Sequence, residues 1–124
     1  MKTENTIWIL RIVAAGILLQ TLFFKFSGAA ESIYIFSALG AEPYGRIGSG
    51  IAELIVAVLI LIPKTTWIGA LGGSGIMIGA ILSHLLVLGI VVENDGGFLF
   101  LLAVITLLCC LGLLYFNKNK LFIF

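Results

Sequence analysis

The sequence predicts an all-α membrane protein: a bundle of four transmembrane helices, with a short interfacial helix between spans one and two. Composition is the first reason, since 61% of the 124 residues are hydrophobic and only 10% are charged, unlike an ordinary water-soluble domain. The second is that the apolar residues fall into four runs of about 20 residues, the length that a helix needs to cross a bilayer. These runs occupy most of the chain, so we expect one transmembrane domain over residues 1–124.

The four predicted spans are joined by short polar segments. They cover residues 7–26, 44–62, 67–90 and 98–116. Residues 63–66 (PKTT) predict a tight turn between spans two and three, and residues 93–97 (ENDGG) predict another before span four.

The connection between spans one and two, residues 27–45, is longer and is too polar to cross the membrane. Ile33, Phe36 and Leu39 recur at helical spacing and give it an apolar face, which is typical of a helix lying on the membrane surface. Pro43 is expected to end that helix, because proline cannot continue one.

Span three is rich in glycine. Gly69 and Gly73 are four residues apart, as are Gly75 and Gly79, and this spacing lets helix backbones approach closely in a membrane. We therefore expect both pairs to lie at helix interfaces, and the same helix offers a surface for a homo-oligomer.

The positions of the cations predict the orientation. One side of the four-span arrangement would carry most of them: Lys2, Lys64, Lys118 and Lys120, joined by Arg11 if its side chain extends to that surface. Lys25 and Arg46 fall on the other side. The positive-inside rule then places both termini in the cytoplasm. The net charge of +1 and the lack of a basic run give no reason to expect nucleic acid as a partner.

Glu53 is the residue around which the other spans are expected to pack. It lies within span two, in GIAELIVAVLIL, where an acid at mid-membrane costs about 2.5 to 3.5 kcal/mol on insertion scales. Such an acid normally faces the protein interior, a water-filled cavity or a partner. At 100° per residue the small residues Ser49, Gly50 and Ala57 share its stripe, so this stripe is expected to face protein.

Other polar groups reach a similar depth, at a rise of 1.5 Å per residue. The sequence leaves two interpretations open. In the first, Glu53 and His84 transfer protons in a pocket in the outer half of the membrane, where four further residues bind the ligand: Lys25, Arg46, Gln20 and Ser83. In the second, Glu53 forms a structural ion pair with Lys25 or Arg46, His84 only packs between helices, and the cations anchor the spans at the interface.

These residues resemble the DoxX-like family of small four-helix membrane proteins, over roughly residues 8–116. The residues that carry the resemblance are Arg11, Lys25, Phe36, Gly40, Pro43, Glu53 in its apolar run, Met77, Ala80 and His84. The resemblance implies an inner-membrane protein of quinone-linked or thiol and sulfur redox processes, often the membrane subunit or partner of a soluble oxidoreductase.

The first functional hypothesis is therefore an oxidoreductase subunit that binds a quinone or another small organic molecule. The sequence indicates no intrinsic cofactor: it has no CxxC pair, no histidine pair for haem and no metal-ligand spacing. Cys109 and Cys110 are adjacent in an apolar run and are expected to be small core residues. Two alternatives remain, a small proton-coupled transporter that uses Glu53 and a non-catalytic membrane assembly factor.

Overall fold

The predicted fold class is confirmed. A computed structural model describes residues 2–90 and 96–117, leaving aside the side chains of residues 2, 3 and 31. Its helices are α1 (Lys2–Ser27), α2 (Ala30–Ala38), α3 (Tyr44–Leu61), α4 (Thr66–Ser83) and α5 (Phe98–Phe116). A π-helical turn, His84–Leu88, continues α4. The helices that are long and apolar enough to span a membrane cover Glu4–Ser27, Tyr44–Leu61, Thr66–Leu88 and Phe98–Phe116.

Some predicted features lie outside the described residues. They are Glu93, Asn94 and Asp95 of the last turn, the C-terminal cations Lys118 and Lys120, and the side chain of Lys2.

The four long helices form a ring in which each packs against two others. Helix α1 contacts α3 and α5, and α4 also contacts α3 and α5. We call the end where α1 begins and α3 ends the termini end, and the opposite end the α2 end. Helix α2 packs there against α1, α3 and the π-helical turn.

Helix α3 shows why the bundle forms around Glu53. Gly50, Glu53 and Ala57 are buried, whereas Ile51 and Ile55 between them are exposed to the surroundings. The predicted inward stripe is thus confirmed. The centre of the bundle is filled by small and aliphatic side chains, among them Ala14, Leu18, Ile60, Ala70, Met77, Cys110 and Leu113.

Only one of the two glycine pairs lies at an interface. A Cβ placed on Gly69 would lie 2.7 Å from the backbone nitrogen of Ile60, and one on Gly73 would lie 2.9 Å from Sγ of Cys110. Within the bundle the expectation for Gly75 and Gly79 is wrong, because both are exposed and a Cβ on either would meet no atom of the chain within 4 Å. Gly75 is about 200° around the helix from Gly73, so the second pair faces away from the bundle.

Helix α2 exists as predicted but ends before Pro43. Its last helical residue is Ala38, and Gly40 follows with a φ of +73°. The Ala41 N–H donates to the Phe36 carbonyl at 2.8 Å and the Gly40 N–H to the Ser37 carbonyl at 3.1 Å, which is the Schellman arrangement that glycine favours. Pro43 instead precedes the first residue of α3.

Arg11 reaches the termini end of the bundle but is buried there. Its side chain is turned into the bundle, where the residue is 3% exposed, and it stacks 3.8 Å from the ring centre of Trp8. Its guanidinium donates to the carbonyl of Ile60 at 2.9 Å and to that of Leu61. Arg11 therefore caps the C-terminal end of α3, where the helix dipole favours a cation.

Candidate functional site

A cavity of about 360 Å³ lies among the helices and is bordered by all five of them and by the π-helical turn. Its walls are mainly apolar, and its polar side chains are Gln20, Thr21, Lys25, Ser32, Ser49, Glu53, Ser83 and His84. A cavity of this volume, with apolar walls and a few polar groups, has the size and character of a small-molecule site.

Glu53 and Lys25 form an ion pair on the cavity wall. The Lys25 ammonium also lies 3.0 Å from Oγ of Ser49, and Oγ1 of Thr21 lies 3.1 Å from the second carboxylate oxygen of Glu53. The Thr21 hydroxyl has one hydrogen, and the Leu18 carbonyl at 2.8 Å also accepts it, so Lys25 is the main donor to this 3% exposed acid. Of the two partners that the sequence left open for Glu53, the structure selects Lys25.

Arg46 is not among the residues that line this cavity. Its Nε lies 3.0 Å from both carboxylate oxygens of Glu42, one turn earlier, and its Nη1 donates to the Lys25 carbonyl near the end of α1. Four ionisable residues were expected around one pocket: Glu53, His84, Lys25 and Arg46. The cavity is bordered by the first three of them, and Arg46 is not among its lining residues.

His84 is held by the π-helical turn that it begins. Its Nδ1 lies 3.0 Å from the carbonyl oxygen of Gly89, and the Gly89 N–H donates back to the His84 carbonyl at 2.6 Å. The ring is 5% exposed and meets Phe100 edge to face, with the ring centres 5.6 Å apart. The turn lies at the C-terminal end of α4, where it places the His84 ring beside the cavity.

Two neutral residues that the sequence analysis named, Ser83 and Gln20, also border the cavity. They differ in whether their polar groups are already hydrogen-bonded. Oγ of Ser83 donates to the Gly79 carbonyl at 2.9 Å, so its hydrogen is already used. Gln20 is exposed, and its amide has no hydrogen-bond partner in the part of the chain that the structure describes.

Ser32 is a cavity-lining residue that the sequence analysis missed. It is 8% exposed, borders the cavity and has no hydrogen-bond partner within residues 2–90 and 96–117. Ser32, Ile35, Phe36 and Leu39 all line the cavity and follow the i, i+3, i+4, i+7 spacing of one helix face. The sequence feature that could have indicated Ser32 is its hydroxyl, which stands on the otherwise apolar face of a short helix.

Cys109 and Cys110 are buried and free, and neither borders the cavity. Within the described ranges, no three His, Cys, Asp or Glu side chains lie close enough to hold a metal ion.

Comparison with known proteins identifies a family. The family model described as DoxX matches residues 6–86, which include most of α1, all of α2 to α4, and His84. No curated protein and no solved structure matches this chain.

Proposed function

The chain belongs to the DoxX family, and from that premise we propose that it binds a quinone or a similar uncharged organic ring in its central cavity. It would serve as the membrane subunit or partner of a quinone-linked or thiol and sulfur redox system. The observation that carries the proposal is the cavity itself, about 360 Å³ of mainly apolar space with polar groups in its wall.

The shape and chemistry of the walls support a ring-shaped ligand. Phe24, Phe36 and Phe98 border the cavity, and aromatic side chains favour contact with another ring, face to face or edge to face. Ser32 and Gln20 supply unused hydrogen-bonding groups beside them. Such groups can orient the oxygen atoms of a quinone head while its apolar parts lie between the helices.

The charges in the wall support an uncharged ligand. Lys25 and Glu53 neutralise each other, so a ligand in the cavity meets no net charge from them. A transported cation would have to displace the Lys25 ammonium from Glu53, and we therefore do not favour the transporter alternative.

We assign proton transfer to and from the ligand to His84, and we assign Glu53 as the second residue that takes part in it. His84 borders the cavity and has one ring nitrogen engaged by the backbone, so its other nitrogen is available for a ligand hydroxyl. Electrons would come from or go to a soluble oxidoreductase partner, since the sequence offers no redox motif of its own.

The experiment is a thermal melt of the purified protein in detergent, with and without short-chain ubiquinone and menaquinone analogues. A ligand present at 100 times its Kd stabilises a folded protein by about 2.7 kcal/mol, so the parent melting temperature should rise. Ala80→Phe should fold but lose this rise, because Ala80 borders the cavity and a phenyl ring would fill part of it.

Ile78→Phe is the matched control, since Ile78 lies two residues earlier in α4 and is exposed on its outer face. A rise that is absent from the parent, or that persists in Ala80→Phe, would contradict the proposal and leave an assembly role in which the polar groups only stabilise the bundle.

A further inference from the structure

We infer that the cavity binds the hydroxyl form of its ligand, a hydroquinone or phenol, more tightly than the carbonyl form. This inference rests on the proposed function, because it concerns the same cavity. It follows from which nitrogen of His84 carries hydrogen and from what the other nitrogen faces.

The backbone fixes the tautomer of His84. The Gly89 carbonyl oxygen, 3.0 Å from Nδ1, can only accept a hydrogen bond, so Nδ1 carries the hydrogen. In the neutral imidazole Nε2 then has a lone pair and no hydrogen. His84 therefore presents an acceptor through Nε2.

Gly89 holds this carbonyl in place. Its φ of +80° and ψ of 167° lie in a region that is essentially restricted to glycine, and its N–H is bonded to the His84 carbonyl. Residue 89 is thus tied to His84 by two hydrogen bonds, one through the backbone and one through the ring. Gly89 is a positioning residue in this account.

Nε2 of His84 is open to the cavity. It has no hydrogen-bond partner among the described residues, whereas every fully enclosed side-chain nitrogen or oxygen atom there has one. Nε2 therefore contacts open space, and because His84 borders the cavity we assign that space to the cavity. A ligand placed there completes the site only if it donates a hydrogen.

The remaining polar groups do not oppose this preference. The hydroxyl of Ser32 and the amide of Gln20 can each donate or accept, so they suit either form of the ligand. A quinone carbonyl has only lone pairs to place against Nε2, whereas a hydroquinone or phenol hydroxyl donates to it. His84 is therefore the group that discriminates between the two forms.

The test compares matched probes on the purified parent protein at one pH: 1-naphthol against 1-methoxynaphthalene, which lacks the hydrogen, and decylubiquinol against decylubiquinone under anaerobic conditions. Isothermal titration calorimetry in one detergent gives each Kd. We expect the hydroxyl form to bind about tenfold more tightly in both pairs, the effect of leaving a buried acceptor unpaired.

Variants assign the preference to His84. His84→Phe keeps a ring of similar size without the acceptor, and should bring the ratio of the two Kd values close to one by weakening the hydroxyl form alone. Leu86→Phe, at a position 78% exposed on the same turn, is the control and should keep the parent ratio.

The outcomes separate the two proposals. Equal binding of both forms by the parent, or tighter binding of the carbonyl form, would overturn this inference and leave the proposed function intact. Binding of neither form would overturn the proposed function and this inference with it. If His84→Phe does not fold, the two probe pairs on the parent protein still decide the question.

Discussion

Arg11 of α1 and Arg46 of α3 cap each other's helices. Arg11 donates to the last carbonyls of α3, at Ile60 and Leu61, and Arg46 donates to the Lys25 carbonyl near the end of α1. Because the two helices are antiparallel neighbours, each arginine lies on one helix beside the negative, C-terminal end of the other. This reciprocal capping fixes the relative height of α1 and α3, and with it the meeting of Lys25 and Glu53.

The first prediction is that Arg11→Met destabilises the bundle by about 3 kcal/mol, because it removes charge-assisted hydrogen bonds to two carbonyls of α3. The Leu61 carbonyl then loses its side-chain donor, whereas the Ile60 carbonyl keeps the hydroxyl of Thr66. Arg11→Lys should recover only part of this, since an ammonium cannot reproduce the fork of a guanidinium. Thermal melts in one detergent measure both variants, with Lys64→Ala as an exposed control. Melting of Arg11→Met at the parent temperature would show that the cap carries no stability.

The second prediction concerns the Lys25–Glu53 pair. Glu53→Gln leaves the Lys25 ammonium without its counter-ion and should cost roughly 3 to 5 kcal/mol, whereas the double variant Glu53→Gln with Lys25→Met should recover most of that loss. Chemical or thermal unfolding of the single and double variants measures the coupling. Additive losses in the double variant would mean that the two residues do not act as a pair.

The same variants separate structure from function. If the double variant is stable yet gives no thermal shift with a quinone analogue, the pair also serves the ligand. A stable double variant that keeps the full shift would assign Lys25 and Glu53 to stability alone.

The third prediction is that the two glycine pairs of α4 respond oppositely. Gly69→Ala would place a Cβ against the Ile60 backbone and should cost about 1 to 3 kcal/mol by overpacking. Gly75→Ala, which meets no atom within 4 Å, should be neutral or stabilising by up to about 1 kcal/mol through helix propensity. Melts of the two variants side by side are the measurement, and equal losses would contradict the packing described for α4. The homo-oligomer expected through this helix stays a prediction.

The fourth prediction is the orientation, with both termini in the cytoplasm. A reporter fused after residue 124 should report cytoplasm, and one inserted between residues 93 and 97 should report the opposite side. Matching signals at the two sites would contradict the four-span arrangement, and reversed signals would place the α2 end in the cytoplasm.

Periodicity and depth predicted the centre of the site because both follow from regular helix geometry. The stripe through Gly50, Glu53 and Ala57 had to face protein, and the rise per residue placed Lys25 and His84 near the same level. Those steps need only the rotation and the rise per residue of a helix, and they do not depend on the rotamer of any side chain.

Prediction failed where a choice depended on neighbours distant in sequence or on fine backbone geometry. Arg46 lies at the right depth but turns toward Glu42 and the end of α1. Gly75 has the same spacing to Gly79 as Gly69 has to Gly73, yet spacing alone does not say which face of α4 meets the bundle. The bond from His84 to Gly89 depends on a π turn that no helical pattern in the sequence signals.

The central claim, that the cavity holds an uncharged ring ligand, is tested most directly by extracting the purified protein with organic solvent and quantifying quinones by mass spectrometry. Parent, Ala80→Phe and Ile78→Phe are expressed and purified in parallel, and quinone is expressed per protein and per co-purified phospholipid. We predict close to one quinone or quinol per chain in the parent and in Ile78→Phe, and a loss to the level of bulk lipid in Ala80→Phe. Equal quinone-to-phospholipid ratios in all three proteins would contradict the claim.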